Sequence, residues 1–205
     1  MKLRSAIAVT TGVMAALVVP ASAGAAAKFG ADLSDGPQPQ NAAQDCGDTS
    51  PGLDETKPCT RIAYNFNEAG PVNGKSRAPK DGAIRKVKLI AQQPGKLAFQ
   101  LGRIKNLDAG NGTGEGRITR SGGKIEYEAS GFTKQAGYEV QAFKVNVKVR
   151  KNEYLAVKGR TFSAQTCSSG SERQLVFQPP PAVGGPFQDQ DADENCTMLI
   201  QAVYG

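Results

Sequence analysis

The chain has 205 residues, with 25 Lys and Arg against 19 Asp and Glu, a formal net charge of +6, four Cys, no His and no Trp. The absence of His excludes Ser-His-Asp and Cys-His catalytic units and imidazole metal ligands. The length is enough for one domain with a hydrophobic core of useful size.

The first 23 residues are typical of a secretory signal peptide. Lys2 and Arg4 form a basic start, an apolar run covers residues 6–19, and small residues at positions 20–23 provide a cleavage site. An uncleaved anchor is the alternative, but the run is shorter than the roughly 20 residues a spanning helix needs. We predict cleavage between Ala23 and Ala27, export from the cell, and no transmembrane segment after cleavage.

Residues 24–58 are predicted to be a disordered linker. They are rich in Gly, Pro, Gln, Asn and Asp and contain few large apolar residues. Such a composition buries too little apolar surface to offset the entropy of ordering the chain.

Residues 59–205 contain short runs in which apolar and polar residues alternate, the pattern of half-buried β-strands. The clearest run alternates Phe143, Val145, Val147 and Val149 with charged and polar residues. Turn-forming pairs separate the runs; among them are Gly122-Gly123 and Asn111-Gly112, which favours a type I′ hairpin turn. The pattern predicts an all-β fold, an antiparallel β-sandwich of jelly-roll type with about eight or nine strands, and a closed barrel is the alternative.

Four Cys in an exported chain predict two disulfides, for which three connectivities are possible. We favour Cys46 with Cys59, which would tie the linker to the start of the sandwich. We also favour Cys167 with Cys196, which would join the two last strands across the loop rich in Pro and Gly. A zinc site is the alternative, but the chain has no CxxC spacing.

Several segments, taken in order, resemble a group of secreted β-sandwich proteins common in high-GC actinobacteria. They are the Ala78–Ile84 opening of a strand, residues 145–157 (VNVKVRKNEYLAV), the prolines at 179–181 followed by Gly184-Gly185, and the closing LIQAVY strand. The resemblance covers residues 59–204 and implies export and a jelly-roll-like sandwich. It implies no activity.

The positive charge is concentrated in the middle of the chain. Residues 61–160 have 20 basic and 8 acidic side chains, whereas the segments before and after, at 24–60 and 161–205, are both net acidic. If the basic residues of neighbouring strands share one sheet face, they would bind an anionic cell-wall polymer or polysaccharide. Solvation of the outer face and protection of sheet edges is the alternative. The candidate binding residues are Arg85, Lys86, Lys88, Lys144, Lys148, Arg150 and Lys151.

Nucleic acid is not expected as a partner, because the stacking aromatic residues that single strands require are sparse. The absence of Trp argues against carbohydrate binding, because sugars commonly stack on an exposed aromatic face. Such binding would depend on the five Tyr residues.

The alternation of Asp189, Asp191 and Asp193 is a candidate calcium site, because Ca²⁺ prefers several oxygen ligands from a short loop. The segment does not follow the EF-hand pattern, since Glu194 stands where that loop has glycine. A solvated acidic loop is the alternative, and no other cofactor is predicted.

An enzyme would have to use paired carboxylates, as glycosidases do, and Glu126 and Glu128 are the nearest such pair. No GxSxG motif and no other catalytic group is recognised. The sequence therefore predicts a secreted or cell-surface, non-catalytic binding module for an anionic polymer or carbohydrate, with a carboxylate-dependent extracellular hydrolase as the alternative.

Overall fold

The computed structural model describes residues 26–33, 44–47, 52–64, 74–130, 139–167 and 173–205. Every regular element in these ranges is a β-strand, and the strands of each ladder are antiparallel. The predicted signal peptide at residues 1–23 lies outside the described residues.

Sixteen strands are present in the described residues, and nine of them have four or more residues. The number of longer strands agrees with the eight or nine expected from the alternation. In chain order the strands are β1 Lys28–Ala31, β2 Gln44–Asp45, β3 Cys59–Ala63, β4 Gly74–Lys75, β5 Gly82–Leu89, β6 Gly95–Asp108, β7 Thr113–Tyr127, β8 Gln141–Val149, β9 Tyr154–Gly159, β10 Thr161–Phe162, β11 Gln165–Cys167, β12 Gln174–Phe177, β13 Gln188–Asp189, β14 Ala192–Glu194, β15 Cys196–Met198 and β16 Ile200–Tyr204.

Two large sheets contain most of the strands in the described residues. The five-stranded sheet has the order β4-β1-β16-β5-β8, and the seven-stranded sheet has the order β13-β7-β6-β9-β3-β12-β14. Two short ladders, β2 with β10 and β11 with β15, lie beside them. The chain passes directly from one sheet to the other after β3, β5, β7 and β8, and it also changes sheet between β1 and β3 and between β14 and β16. Residues distant in sequence therefore become neighbours.

The main hydrophobic core lies between the two sheets. Phe29, Val87 and Tyr204 of the five-stranded sheet belong to the same buried cluster as Phe99 and Leu155 of the seven-stranded sheet. Burial of such side chains is the dominant favourable contribution to folding, at about 25 cal/mol for each Å² of apolar surface removed from water. The antiparallel β-sandwich predicted from the alternation is confirmed.

The seven-stranded sheet curls until its two edge strands, β13 and β14, are joined by residues 190 and 191. The backbone N–H of Gln190 donates to the carbonyl of Gly114, and that of Asp191 donates to the carbonyl of Val176. These two bonds connect opposite ends of the same sheet. The curl therefore protects both edges from pairing with other chains.

A second, smaller core fills the concave side of this curl. Ile62, Leu175 and Phe177 are fully buried there. Gly116 in β7 lies against Phe177, and a Cβ at this position would overlap the aromatic ring. Glycine at position 116 is therefore required by the close approach of the two strands.

Three described parts of the predicted disordered linker, residues 24–58, are ordered. β1 pairs with β16, and Phe29 is buried with its ring centroid 6.1 Å from that of Tyr204. β2 pairs with β10, and residues 52–58 lead into β3. The composition of the whole segment concealed these contacts, because one buried aromatic side chain and a few ladder hydrogen bonds are enough to attach a short strand.

We expect Gly30→Ala to lower the free energy of unfolding by about 2 kcal/mol or more, through backbone strain and overpacking together. Gly30 has φ of 94°, and a Cβ there would overlap the carbonyl oxygen of Ile200 and the side chain of Leu155. Equilibrium urea unfolding measures the effect.

Gly123→Ala is the matched control for this substitution. Gly123 also has φ of 94°, but no heavy atom lies within 4 Å of its added Cβ. It therefore reports the backbone strain alone, and the difference between the two variants is the cost of overlap. Equal losses would contradict the packing of β1 described above.

The pair Gly122-Gly123, predicted as a turn, lies inside β7 instead. The ladder between β6 and β7 changes register between Phe99 and Gln100, opposite these glycines. Positive φ at Gly123 is typical of a β-bulge, which bends a strand without ending it. β6 and β7 therefore continue for 14 and 15 residues, longer than the predicted runs.

The hairpin between β6 and β7 also differs from the predicted type I′ turn at Asn111-Gly112. Asp108 pairs with Thr113, so the loop has the four residues 109–112. The backbone N–H groups of Gly110 and Asn111 donate to Asp108 Oδ1 at 3.0 and 3.1 Å. This Asx-type closure explains why the loop is longer than two residues.

Both favoured disulfides are confirmed. Cys46 bonds to Cys59 at the start of β3, and Cys167 bonds to Cys196, which is its direct partner in the β11–β15 ladder. No free cysteine occurs among the described residues. Disulfides of this kind are typical of proteins in oxidising compartments.

Candidate functional site

The outer face of the five-stranded sheet carries a concentration of basic side chains. β5 and β8 are neighbours in this sheet, and Val87 and Val147 point into the core while Lys86 and Lys144 are exposed. Five of the seven predicted binding residues lie on these two strands: Arg85, Lys86, Lys88, Lys144 and Lys148.

Lys86 and Lys144 lie directly opposite each other in the β5–β8 ladder. On its other side Lys86 is opposite Val203 of β16, which is in turn opposite Lys28 of β1. Neighbouring strands are about 4.8 Å apart, so this row of three lysines crosses about 14 Å of the sheet. Like charges facing each other across a ladder repel, and a bound anion would relieve that repulsion.

The positive charge of this face is not neutralised by the sheet itself. The five strands contain no acidic residue. Within the described ranges, no carboxylate forms an ion pair with the four lysines of β5 and β8. At the border of the face Lys28 pairs with Asp32 at 3.2 Å, and Arg85 donates a hydrogen bond to Asn146.

The other two predicted binding residues, Arg150 and Lys151, follow β8 in the turn to β9. The backbone N–H of Lys151 donates to Asp81 at 2.6 Å, and that of Arg150 donates to Glu153 at 2.7 Å. The side chain of Arg150 lines a separate cavity. The predicted set is thus divided between a sheet face and a turn at its end.

Three basic residues that the sequence analysis did not single out, Arg103, Arg117 and Arg120, line the same cavity as Arg150. They lie on the two strands of the β6–β7 hairpin. The sequence could have indicated this cluster, because the three arginines lie on the two arms of a predicted hairpin. A hairpin places cross-strand partners side by side on one face.

The predicted calcium ligands Asp189, Asp191 and Asp193 are not brought together around a common point. Asp191 accepts a hydrogen bond from the backbone N–H of Gln178 at 2.6 Å, and Asp193 accepts one from the hydroxyl of Tyr64 at 2.7 Å. No group of three or more carboxylate or Cys side chains that could hold a metal ion occurs in the described part of the chain. These contacts attach β13 and β14 to the rest of the curled sheet.

Tyr64 makes its contact with Asp193 from a buried position. Burial, followed by the hydrogen bond to Asp193, raises the pKa of the Tyr64 hydroxyl well above its usual range, so the hydroxyl remains a donor. Arg173 also approaches Asp193, with Nη1 3.1 Å from Oδ2. Asp193 is therefore occupied by two donors of the protein.

The carboxylates considered for glycosidase chemistry, Glu126 and Glu128, are both exposed. Glu126 forms an ion pair with Lys96 at 2.9 Å, and these side chains are 69% and 74% exposed. A general acid of this chemistry needs a pKa raised by its surroundings, usually through burial. Both glutamates lie exposed on the sheet surface, so this alternative gains no support from the geometry.

The tyrosines considered for sugar stacking face the interior. Tyr64, Tyr127, Tyr154 and Tyr204 are at most 6% exposed, and Tyr138 lies outside the described residues. A sugar ring stacks on an exposed aromatic face, which these four side chains do not offer. The lysine-rich sheet face is therefore the better candidate for ligand binding.

Comparisons with protein-family models, curated proteins and solved structures gave no match to this chain. No helix suited to crossing a membrane was found within the described residues.

Proposed function

We propose that the protein is an exported, non-catalytic module that binds a linear anionic polymer through the outer face of the five-stranded sheet. We call this surface the lysine face; it consists of Lys28, Lys86, Lys88, Lys144 and Lys148. The observation that carries the proposal is the direct opposition of Lys86 and Lys144 on strands that contain no acidic residue.

Protection of the sheet edge does not account for this arrangement. β8 is an edge strand, so Lys144 and Lys148 also discourage pairing with another chain. Lys86 and Lys88, however, lie on β5, which has a partner strand on both sides. Lysines on an interior strand contribute nothing to edge protection, which favours a role in binding.

The shape of the lysine face favours a polymer over a small ligand. Its lysines are spread over about 14 Å across the strands, from Lys28 to Lys144, although Lys28 at the border is paired with Asp32. They are spread over a similar distance along β8, from Lys144 to Lys148. A chain of repeated sulfate, phosphate or carboxylate groups meets several lysines at once, and each contact adds to the affinity.

Export is supported by the signal-type sequence of residues 1–23 and by two disulfides, which are typical of an oxidising compartment. Export is also what the sequence resemblance to secreted actinobacterial sandwiches implies. The site of action would be the cell surface or the surrounding medium, where anionic wall polymers and polysaccharides are present.

We expect the double substitution Lys86→Gln/Lys144→Gln to weaken binding to heparin, used as a sulfated polymer probe, by about 30-fold at low salt. The estimate takes about 1 kcal/mol for each lysine near an anionic surface. Titration calorimetry at several salt concentrations measures it, and the affinity of the unaltered protein should fall steeply as salt is raised.

Lys96→Gln/Lys124→Gln is the matched control, because it removes the same net charge from exposed positions of the seven-stranded sheet. We expect it to change the affinity less than threefold. If both double variants weaken heparin binding equally, net charge alone governs the interaction and the lysine face has no special role.

A further inference from the structure

A cavity of about 180 Å³ lies where the β6–β7 hairpin meets the turn between β8 and β9. Four arginines line it: Arg103 from β6, Arg117 and Arg120 from β7, and Arg150 from the turn. Arg103 and Arg117 are direct partners in the β6–β7 ladder, so their side chains leave the sheet on the same face.

One carboxylate, that of Glu153, lines this cavity among the described residues, and both of its oxygens are engaged. Glu153 is 1% exposed; Oε1 forms an ion pair with Arg120, and Oε2 accepts the backbone N–H of Arg150 at 2.7 Å. No other described carboxylate forms an ion pair with Arg103, Arg117 or Arg150. The cavity therefore carries an excess of three positive charges.

The surroundings of Arg117 hold its guanidinium group in place. The group stacks on the ring of Phe187 with 4.7 Å between Cζ and the ring centroid. Its Nε is buried and has no hydrogen-bond partner among the described residues. Stacking on one face leaves the N–H groups at the edge of a guanidinium able to donate.

Lys105 approaches the same Phe187 ring, at 5.0 Å, but its charge is matched by Glu115, 2.7 Å away. The uncompensated charge is thus confined to the arginines of the cavity. A guanidinium group presents two parallel donors that match the oxygens of phosphate and sulfate, and such charge-assisted bonds are among the strongest hydrogen bonds in proteins.

We propose that this cavity, which we call the arginine pocket, binds a single tetrahedral oxyanion: a phosphate or sulfate group, free or carried by a larger ligand. Arg103 and Arg117 hold the group from the hairpin, and Arg150 closes on it from the turn. The proposal is independent of the lysine face, because none of the five lysines of that face lines the pocket.

Isothermal titration calorimetry at low ionic strength, with inorganic phosphate and sodium sulfate as separate probes, tests the proposal. We expect saturable binding with one site for each protein molecule, and little effect of equimolar chloride. Arg117→Gln and Arg103→Gln should each weaken the affinity about tenfold or more, the loss of at least one charge-assisted contact. Absence of saturable binding of either anion to the unaltered protein would overturn the proposal.

Lys124→Gln is the control, since it removes one positive charge from an exposed position of β7 that does not line the pocket. It should change the affinity less than twofold, and a loss equal to that of Arg117→Gln would contradict a defined site. Because Arg117 packs on Phe187, Arg150→Gln provides a second test at an exposed position. Arg150→Gln should weaken anion binding at least threefold. An unchanged affinity would show that Arg150 does not contact the bound anion.

A third comparison separates the two proposals. Lys86→Gln/Lys144→Gln should keep its phosphate and sulfate affinity while it loses heparin affinity. Loss of oxyanion binding in that variant would locate the binding on the lysine face and refute the arginine pocket.

Discussion

Arg61→Met is expected to lower the free energy of unfolding by about 3–5 kcal/mol, which is a large share of the stability of a domain this size. Arg61 lies on β3 with its side chain 0% exposed, and it forms an ion pair with Glu194 of β14, whose side chain is 1% exposed. Removal of the arginine would leave a carboxylate buried without its cation, which costs far more than the lost attraction itself.

The guanidinium group of Arg61 makes several further contacts that depend on its position. Nη1 donates to Gln165 at 2.9 Å, Nη2 donates to the carbonyl of Asp45 at 3.3 Å, and the group stacks 4.5 Å from the centroid of Phe162. Asp45 and Gln165 lie on strands outside the two main sheets. The arginine therefore connects the main core to both short ladders, β2–β10 and β11–β15.

Urea unfolding of three variants isolates the cause of this loss. Lys96→Met breaks the exposed pair with Glu126 and should cost less than about 1 kcal/mol. Arg61→Met/Glu194→Leu removes both buried charges and should recover to within about 2 kcal/mol of the unaltered protein. If Arg61→Met costs no more than Lys96→Met, the pair is not buried as described. A double variant no more stable than Arg61→Met would show that the buried charge of Glu194 is not the cause of the loss.

The sequence alone could predict which face of β8 is buried, because alternation over residues 141–149 leaves one arrangement that hides the valines. It could not predict the orientation of Lys86 in the same way. Strict alternation from the buried Ile84 would place Lys86 inside. The β5–β8 ladder changes register between Ile84 and Lys86, and this irregularity turns both Arg85 and Lys86 outward.

The position of Arg61 was also beyond prediction from the pattern. In β3 the residues Thr60, Arg61 and Ile62 are all 0% exposed, because both faces of the curled sheet are covered. A charged residue in a five-residue run is normally taken to mark the exposed face. Its burial depends on Glu194, which is 133 positions later in the sequence, and no local pattern reports such a partner.

The residues of the arginine pocket could be predicted from the sequence, but the pairing of the arginines across the hairpin could not. A two-residue turn at Asn111-Gly112 would place Arg103 opposite Arg120. The four-residue loop and the irregular register place it opposite Arg117 instead. Loop length sets which side chains of a hairpin meet, so the residues of the pocket could be named from the sequence but their arrangement could not.

Replacement of Cys167 and Cys196 by Ala is expected to lower the free energy of unfolding by about 4 kcal/mol, and replacement of Cys46 and Cys59 by about 3 kcal/mol. The order follows from the loop that each bond closes, with separations of 29 and 13 residues, because a longer closed loop restricts the unfolded chain more. Urea unfolding of the two variants gives the comparison. A larger loss for the Cys46–Cys59 pair would mean that its fully buried sulfur atoms contribute more through packing than through loop closure.

The stabilisation provided by the Cys167–Cys196 bond should be coupled to that of the buried ion pair, because Glu194 lies two residues before Cys196. The β11–β15 ladder has three residue pairs, so the disulfide fixes β15, and with it the position of Glu194 beside Arg61. Once the disulfide is absent, the segment can move the Glu194 carboxylate towards water, and Arg61→Met should then cost less. We expect the triple variant Arg61→Met/Cys167→Ala/Cys196→Ala to be more stable, by at least about 1 kcal/mol, than the sum of the losses from Arg61→Met and from Cys167→Ala/Cys196→Ala predicts. Strict additivity would show that the two features stabilise the sandwich independently.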